Sequence, residues 1–185
     1  IYQFIGFIGC VFWTKLEPGL FGWMKILIAY ATRFGTTEKC AGMLAEILRE
    51  KNLEVELVDL KKNKRVKPEN YNLIVVRGSF LAFRMNAFVK KFVKRNLNIL
   101  LNIKTGIFMC GADEDWENEI KKGFPEELLD KAEAKGYFGY EMNWDKMNPI
   151  VRNMMQKASK TTEPVSKINT ENIRKFAEEI AKVLT

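Results

Sequence analysis

The run Lys25-Ile26-Leu27-Ile28-Ala29-Tyr30, which stops in Ala31-Thr32-Arg33-Phe34-Gly35-Thr36-Thr37-Glu38, constrains this chain more than any other stretch. Uninterrupted apolar residues predict a strand buried on both faces, and therefore a place inside a parallel sheet. The hydroxyl-rich turn opens a helix in which Cys40, Met43, Leu44, Ile47 and Leu48 recur at helical spacing, with Glu46, Arg49, Glu50 and Lys51 outside. A strand, a small-residue turn and a helix in that order bring backbone N–H groups and hydroxyls to the positive end of a helix dipole. The turn is thus read as an anion cradle.

From Met24 onward strand and helix patterns alternate, which predicts an α/β fold built on a doubly wound parallel sheet. Leu53, Val55 and Leu57 alternate with Glu54 and Glu56, the pattern of an edge strand. Residues 73–76 form a second buried strand, followed by a turn over 78–86 and a helix with Phe88, Val89, Phe92 and Val93 inward and Lys90, Lys91, Lys94 and Arg95 outward. A strand over 103–110 ends in a third small-residue turn, 110–116. The pattern then predicts a helix from Pro125 to near Gly136, a last strand from Tyr137 to Trp144, and a closing helix carrying Ile173, Phe176, Ala177 and Ile180 with Thr170 as its cap.

Two segments fall outside this alternation. Residues 145–167 interrupt the passage from last strand to last helix; their stripe of Met147, Ile150, Val151, Met154 and Met155 reads as a helix covering the domain's own core, with a Met-rich patch for a large apolar anion or a membrane as the alternative. Residues 1–23 are expected to be an extension upstream of a domain spanning 24–185, with an interfacial membrane anchor as the alternative, because their apolar stretch falls short of the roughly 20 residues that span a bilayer.

Composition removes whole classes of chemistry. The chain has no histidine, so Ser/His and Cys/His nucleophile pairs and His-containing metal sites are excluded. Cys10, Cys40 and Cys110 form no C-x-x-C pair, which argues against a zinc site and for a reducing, cytoplasmic address. Only acidic residues follow Cys110 nearby, so its thiolate is expected to be disfavoured. The net charge of +7 favours anionic partners, yet the basic loop 61–65 lacks interleaved aromatics and reads as a solvated connection, not a nucleic-acid surface.

All three turns follow carboxyl ends of strands, the edge where open parallel sheets bind ligands. The first has neither the G-x-x-x-x-G-K-[ST] nor the G-x-G-x-x-G spacing. A monophosphate in the first turn and a flat ring clamped by the other two describe flavin mononucleotide (FMN).

Thr32-Arg33-Phe34-Gly35-Thr36-Thr37 resembles the phosphate loop of flavodoxins, whose pattern is hydroxyl, any, hydroxyl, Gly, any, Thr; Phe34 departs from it and removes one donor. The run 75–79 leading into 87–94, together with the segment at 145–167, is similar to the menaquinone-dependent protoporphyrinogen oxidases of that superfamily. The resemblance implies a five-stranded sheet of order 2-1-3-4-5 with helices on both faces. It implies that Thr32, Arg33, Phe34, Gly35, Thr36 and Thr37 hold the FMN phosphate end, that Ser79, Phe80, Leu81, Ala82 and Phe83 run along the isoalloxazine, and that Gly111, Ala112 and Asp113 close the other side. It further implies an FMN-dependent oxidoreductase with a quinone or protein redox partner, a porphyrinogen or other flat anionic substrate, and peripheral contact with the inner face of a membrane. The alternatives are a soluble electron carrier and a flavin-free interaction module.

Overall fold

In the computed structural model, which describes residues 24–81, 84–112 and 115–184, strand β1 (Lys25–Tyr30) lies between two parallel neighbours. Helix α1 (Thr36–Glu50) connects it to β2 (Glu54–Asp59) at the sheet edge, and β3 (Leu73–Leu81) pairs along its other side. The chain turns back through β4 (Arg84–Met85) into α2 (Ala87–Leu100), β5 (Lys104–Cys110), α3 (Trp116–Gly123), α4 (Glu126–Lys131) and β6 (Ala134–Tyr137). The five parallel strands run β2-β1-β3-β5-β6, which is the order 2-1-3-4-5.

Alternation along β1 sends its side chains to two separate cores. Ile26, Ile28 and Tyr30 meet Cys40, Leu44 and Leu48 of α1 and Ile173, Phe176 and Ile180 of the closing helix α6 (Thr170–Leu184). Leu27 and Ala29 belong to a second core with Val89, Phe92 and Val93 of α2, Ile120 of α3 and Leu128 of α4. Each fully buried Leu or Ile contributes on the order of 2 kcal/mol, so a strand apolar on both faces is held in the interior.

The sequence pattern misplaces three boundaries. The helix expected to reach Gly136 ends at Lys131, because residues 134–137 pair with β5. A Cβ on Gly136 would come within 2.9 Å of the Phe176 ring and one on Gly106 within 3.0 Å, so α6 settles on two glycines in adjacent strands. Phe108, Phe138 and Phe176 complete that contact, with Phe108 and Phe138 stacked at 4.4 Å. The expected strand 137–144 is therefore two strands broken at Phe138: β6 in the main sheet, and β7 (Gly139–Met142) paired antiparallel with β8 (Val165–Ile168). Asn169, not Thr170, caps α6 by accepting from the backbone N–H of Asn172 at 2.9 Å.

Between β7 and β8 lies α5 (Pro149–Ser159), opened by Asn148, whose side chain accepts from the Val151 N–H. Its apolar stripe is split. Val151 and Met155 pack on a small cluster of Met142, Trp144 and Met147, whereas Ile150 is 83% and Met154 53% exposed. The 1–23 segment, and Cys10 within it, lies outside the described residues.

Candidate anion and cofactor site

The carboxyl ends of β1, β3 and β5 open on a cavity of about 120 Å³ lined by Thr32, Phe34, Thr36, Thr37, Arg77 and Gly111, with Tyr140, Met142 and Met155 from the 139–168 segment on the far side. That volume is well below the several hundred Å³ of a site that encloses a whole cofactor, and suits the phosphate end of one.

The first turn is shaped by Gly35, whose φ of +89° is left-handed and which begins α1 without any side-chain cap. Its N–H donates to the Thr32 hydroxyl oxygen at 2.9 Å, folding the turn over itself. Thr37 is 2% exposed, and the Thr36 hydroxyl donates across the cavity to the Glu141 carbonyl at 2.9 Å. The uncapped start of α1 leaves backbone donors and the positive end of its dipole directed at the space between Thr32 and Thr36.

Cations surround this turn. The Lys61 ammonium donates to the Thr32 carbonyl, so the basic loop meets the cradle instead of only solvent. Lys146 lies over Gly35, where an added Cβ would stand 2.9 Å from its Nζ. Lys39 is tied to the Glu141 carboxylate at 2.8 Å.

Phe34 is half-buried and packs against Met142, Trp144 and Met147, so the ring in a position usual for a hydroxyl staples the turn to the 139–168 segment. The second turn differs from expectation: β3 continues through Ser79, Phe80 and Leu81 and returns as a hairpin, Phe80 pairing with Met85 and Leu81 with Arg84. Ser79 is in register with Cys110, which brings the β3 extension beside Gly111 and Ala112. Gly111 is pinned, its carbonyl accepting from the Tyr137 hydroxyl at 2.5 Å and its N–H donating to the Gly139 carbonyl at 3.1 Å. Ala82, Phe83 and Asp113 lie outside the described residues, and the exposed Arg33 lies on the cavity rim.

Sequence reasoning passed over Arg77. It continues the inward face of Leu73 and Val75, is 3% exposed, and forms no ion pair with a carboxylate among the described residues. Its terminal nitrogens donate to the Ala31 carbonyl at 3.2 Å and the Cys110 carbonyl at 3.4 Å, while Nε is buried without a partner. Burial alone holds its pKa below the ordinary arginine value. A cation after four apolar strand residues was the available signal, since a buried charge costs several kcal/mol unless something compensates it.

Cys40 and Cys110 are buried free thiols facing one another beside Arg77. Burial pushes the Cys110 thiol up, but the hydrogen bond with Cys40 and the charge and hydrogen bond of Arg77 outweigh it and bring it down to about 7. The expectation of a disfavoured thiolate therefore fails, because β3 supplies a cation that is remote in sequence. The hydrogen bond with Cys110, then burial, push Cys40 well up.

An α/β sheet of this order, with a cavity at the carboxyl ends of its strands, is the flavodoxin-like arrangement. The flavodoxin domain family matches residues 27–168, and the chain belongs to it. Protoporphyrinogen IX dehydrogenase [quinone] of Escherichia coli is 26% identical over 85 residues, 46% of this chain and 47% of that protein, so the match spans about half the length of either. Among solved structures, oxidised flavodoxin 2 from Bacillus cereus superposes with a TM-score of 0.56 at 22% identity, covering 86% of this chain and 99% of that one. Oxidised flavodoxin 1 from the same organism gives 0.55 at 17%, covering 87% and 99%.

Proposed function

We propose that this protein binds FMN at the β1–α1 turn and works as an FMN-dependent oxidoreductase of the protoporphyrinogen oxidase type. The observation that carries this reading is the cationic, phosphate-sized cavity between the α1 N-terminus and the carboxyl ends of β3 and β5, in a domain of the flavodoxin family. Thr32, Gly35, Thr36 and Thr37 would hold the phosphate, and the β3 extension with Gly111 and Ala112 would flank the ring. FMN supplies the electron-transfer chemistry when bound. The protein's own part is to fix the phosphate, position the ring at the strand edge and keep water from one side of it with the methionine-rich 139–168 segment.

The likeness to the Escherichia coli dehydrogenase, the cationic rim and the exposed Ile150 and Met154 of α5, a helix whose Met155 lines the cavity, support a flat anionic substrate of the porphyrinogen class and a quinone acceptor. No described helix is long and apolar enough to cross a membrane, so contact with a lipid-borne quinone would be peripheral. Anaerobic incubation of the FMN-loaded protein with protoporphyrinogen and menaquinone is expected to give porphyrin fluorescence above the enzyme-free control; none would refute the enzymatic reading. The superposition on two flavodoxins favours a second reading, a soluble electron carrier. A redox titration separates the two, because a carrier holds its two one-electron steps widely apart in potential.

A further inference from the structure

We propose that Arg77 is the charge partner of the bound phosphate, its guanidinium supplying from beneath the turn the donor that Phe34 removes from above. The inference rests on the FMN reading above and adds a residue that the phosphate-loop pattern does not contain.

Three observations converge on it. Arg77 lines the cavity together with Thr32, Thr36 and Thr37, so it faces the same space as the start of α1. It is 3% exposed, and its guanidinium donates to two backbone carbonyls at the mouths of β1 and β5 and to the Cys110 thiol, leaving Nε with no partner. A guanidinium has five N–H donors, and carbonyl dipoles together with a thiol that is only partly ionised near neutral pH compensate its charge incompletely. At the same mouth, Phe34 turns its ring into the cluster of Met142, Trp144 and Met147 and contributes no donor. A monophosphate between Arg77 and the α1 N-terminus satisfies both sides: the anion gains a charge-assisted hydrogen bond, and the buried cation gains a full counter-charge. Lys146 over Gly35 and Lys61 on the Thr32 carbonyl add outer positive charge, with Arg77 as the inner contact.

A purely structural arginine that ties β1 to β5 is the competing explanation, and flavin affinity separates the two. Apoprotein of the full chain is titrated with FMN and with riboflavin, which lacks the phosphate, following flavin fluorescence, for wild type, Arg77→Met and Arg77→Lys. The expected result for Arg77→Met is FMN binding weakened about tenfold to a hundredfold, the worth of a charge-assisted hydrogen bond, with riboflavin binding within about twofold of wild type. Arg77→Lys keeps charge but loses the fork, and is expected to fall between them for FMN alone. Unchanged FMN affinity, or equal loss of FMN and riboflavin, overturns the proposal while leaving the FMN reading of the wild type standing. Should Arg77→Met not fold, Arg77→Lys decides by the same criterion. Wild type that binds neither flavin would refute the FMN reading; inorganic phosphate then tests Arg77 alone, through a rise in melting temperature that Arg77→Lys diminishes, and no such rise overturns the proposal.

Discussion

Gly139→Ala tests whether the 139–168 segment is built into the site or merely attached to it. Gly139 has φ +74°, and a Cβ there would fall directly on the Lys167 carbonyl oxygen and 3.2 Å from the Asn169 N–H, both backbone atoms that cannot swing aside. The left-handed conformation costs an L-residue about 1–2 kcal/mol, and forcing apart a packed backbone contact about 1–3 more. The sum, about 3 kcal/mol, is a large share of a typical domain's stability and corresponds to roughly 10 °C in melting temperature. The effect should extend to the cavity, because β7 carries Tyr140, Glu141 and Met142 along its wall and the Gly139 carbonyl holds the Gly111 N–H. Urea and thermal unfolding would be measured beside FMN titration, with Gly42→Ala as control; nothing lies within 4 Å of a Cβ on Gly42 in the middle of α1. The control should gain about 0.5–1 kcal/mol from helix propensity. If Gly139→Ala lies within about 0.5 kcal/mol of wild type and binds FMN equally well, a threshold set by ordinary surface substitutions, the reasoning fails.

Phe34→Thr restores the usual hydroxyl but removes a half-buried ring from the Met142, Trp144 and Met147 cluster. It should cost about 1–2 kcal/mol in denaturant unfolding, less than a fully buried phenylalanine, and should not tighten FMN binding; tighter binding at unchanged stability would show the ring is no staple. Cys110 makes stability depend on pH. Its thiol is lowered to about 7 from 9.0, so between those values the folded state has lost a proton that the unfolded state keeps, and stability rises with pH across that window and is lost as pH falls through about 7. The gain, up to about 2 kcal/mol, should be absent from Cys110→Ala when the two proteins are unfolded in urea at both ends of the window; parallel profiles would rule it out.

How much of the site was legible follows from what local order can encode. The β1–α1 turn was readable because Thr32, Gly35, Thr36 and Thr37 are neighbours in sequence, and one turn brings their groups together. The second turn was misread: residues 79–81 satisfy their backbone by pairing with β5 and β4, and nothing within 78–86 announces a hairpin. The partners of Cys110 could not be read, since Arg77 and Cys40 reach it only when β3, β5 and α1 assemble.

The sequence by itself determined the class of fold, because strands apolar on both faces alternating with amphipathic helices can be buried only in a layered parallel sheet. It also placed Thr32, Gly35, Thr36 and Thr37 in one turn at the start of α1, a product of short-range geometry. Tertiary structure alone decided where β6 ends and β7 begins, because the break at Phe138 answers to the Phe176 ring resting on Gly136 and to the distant strand β8. It decided, too, that Phe34 packs on the 139–168 segment and that Arg77 lines the same cavity as Thr32, Thr36 and Thr37. Burial, charge compensation and antiparallel pairing are properties of what surrounds a residue, and for these residues the surroundings come from elements tens of positions away.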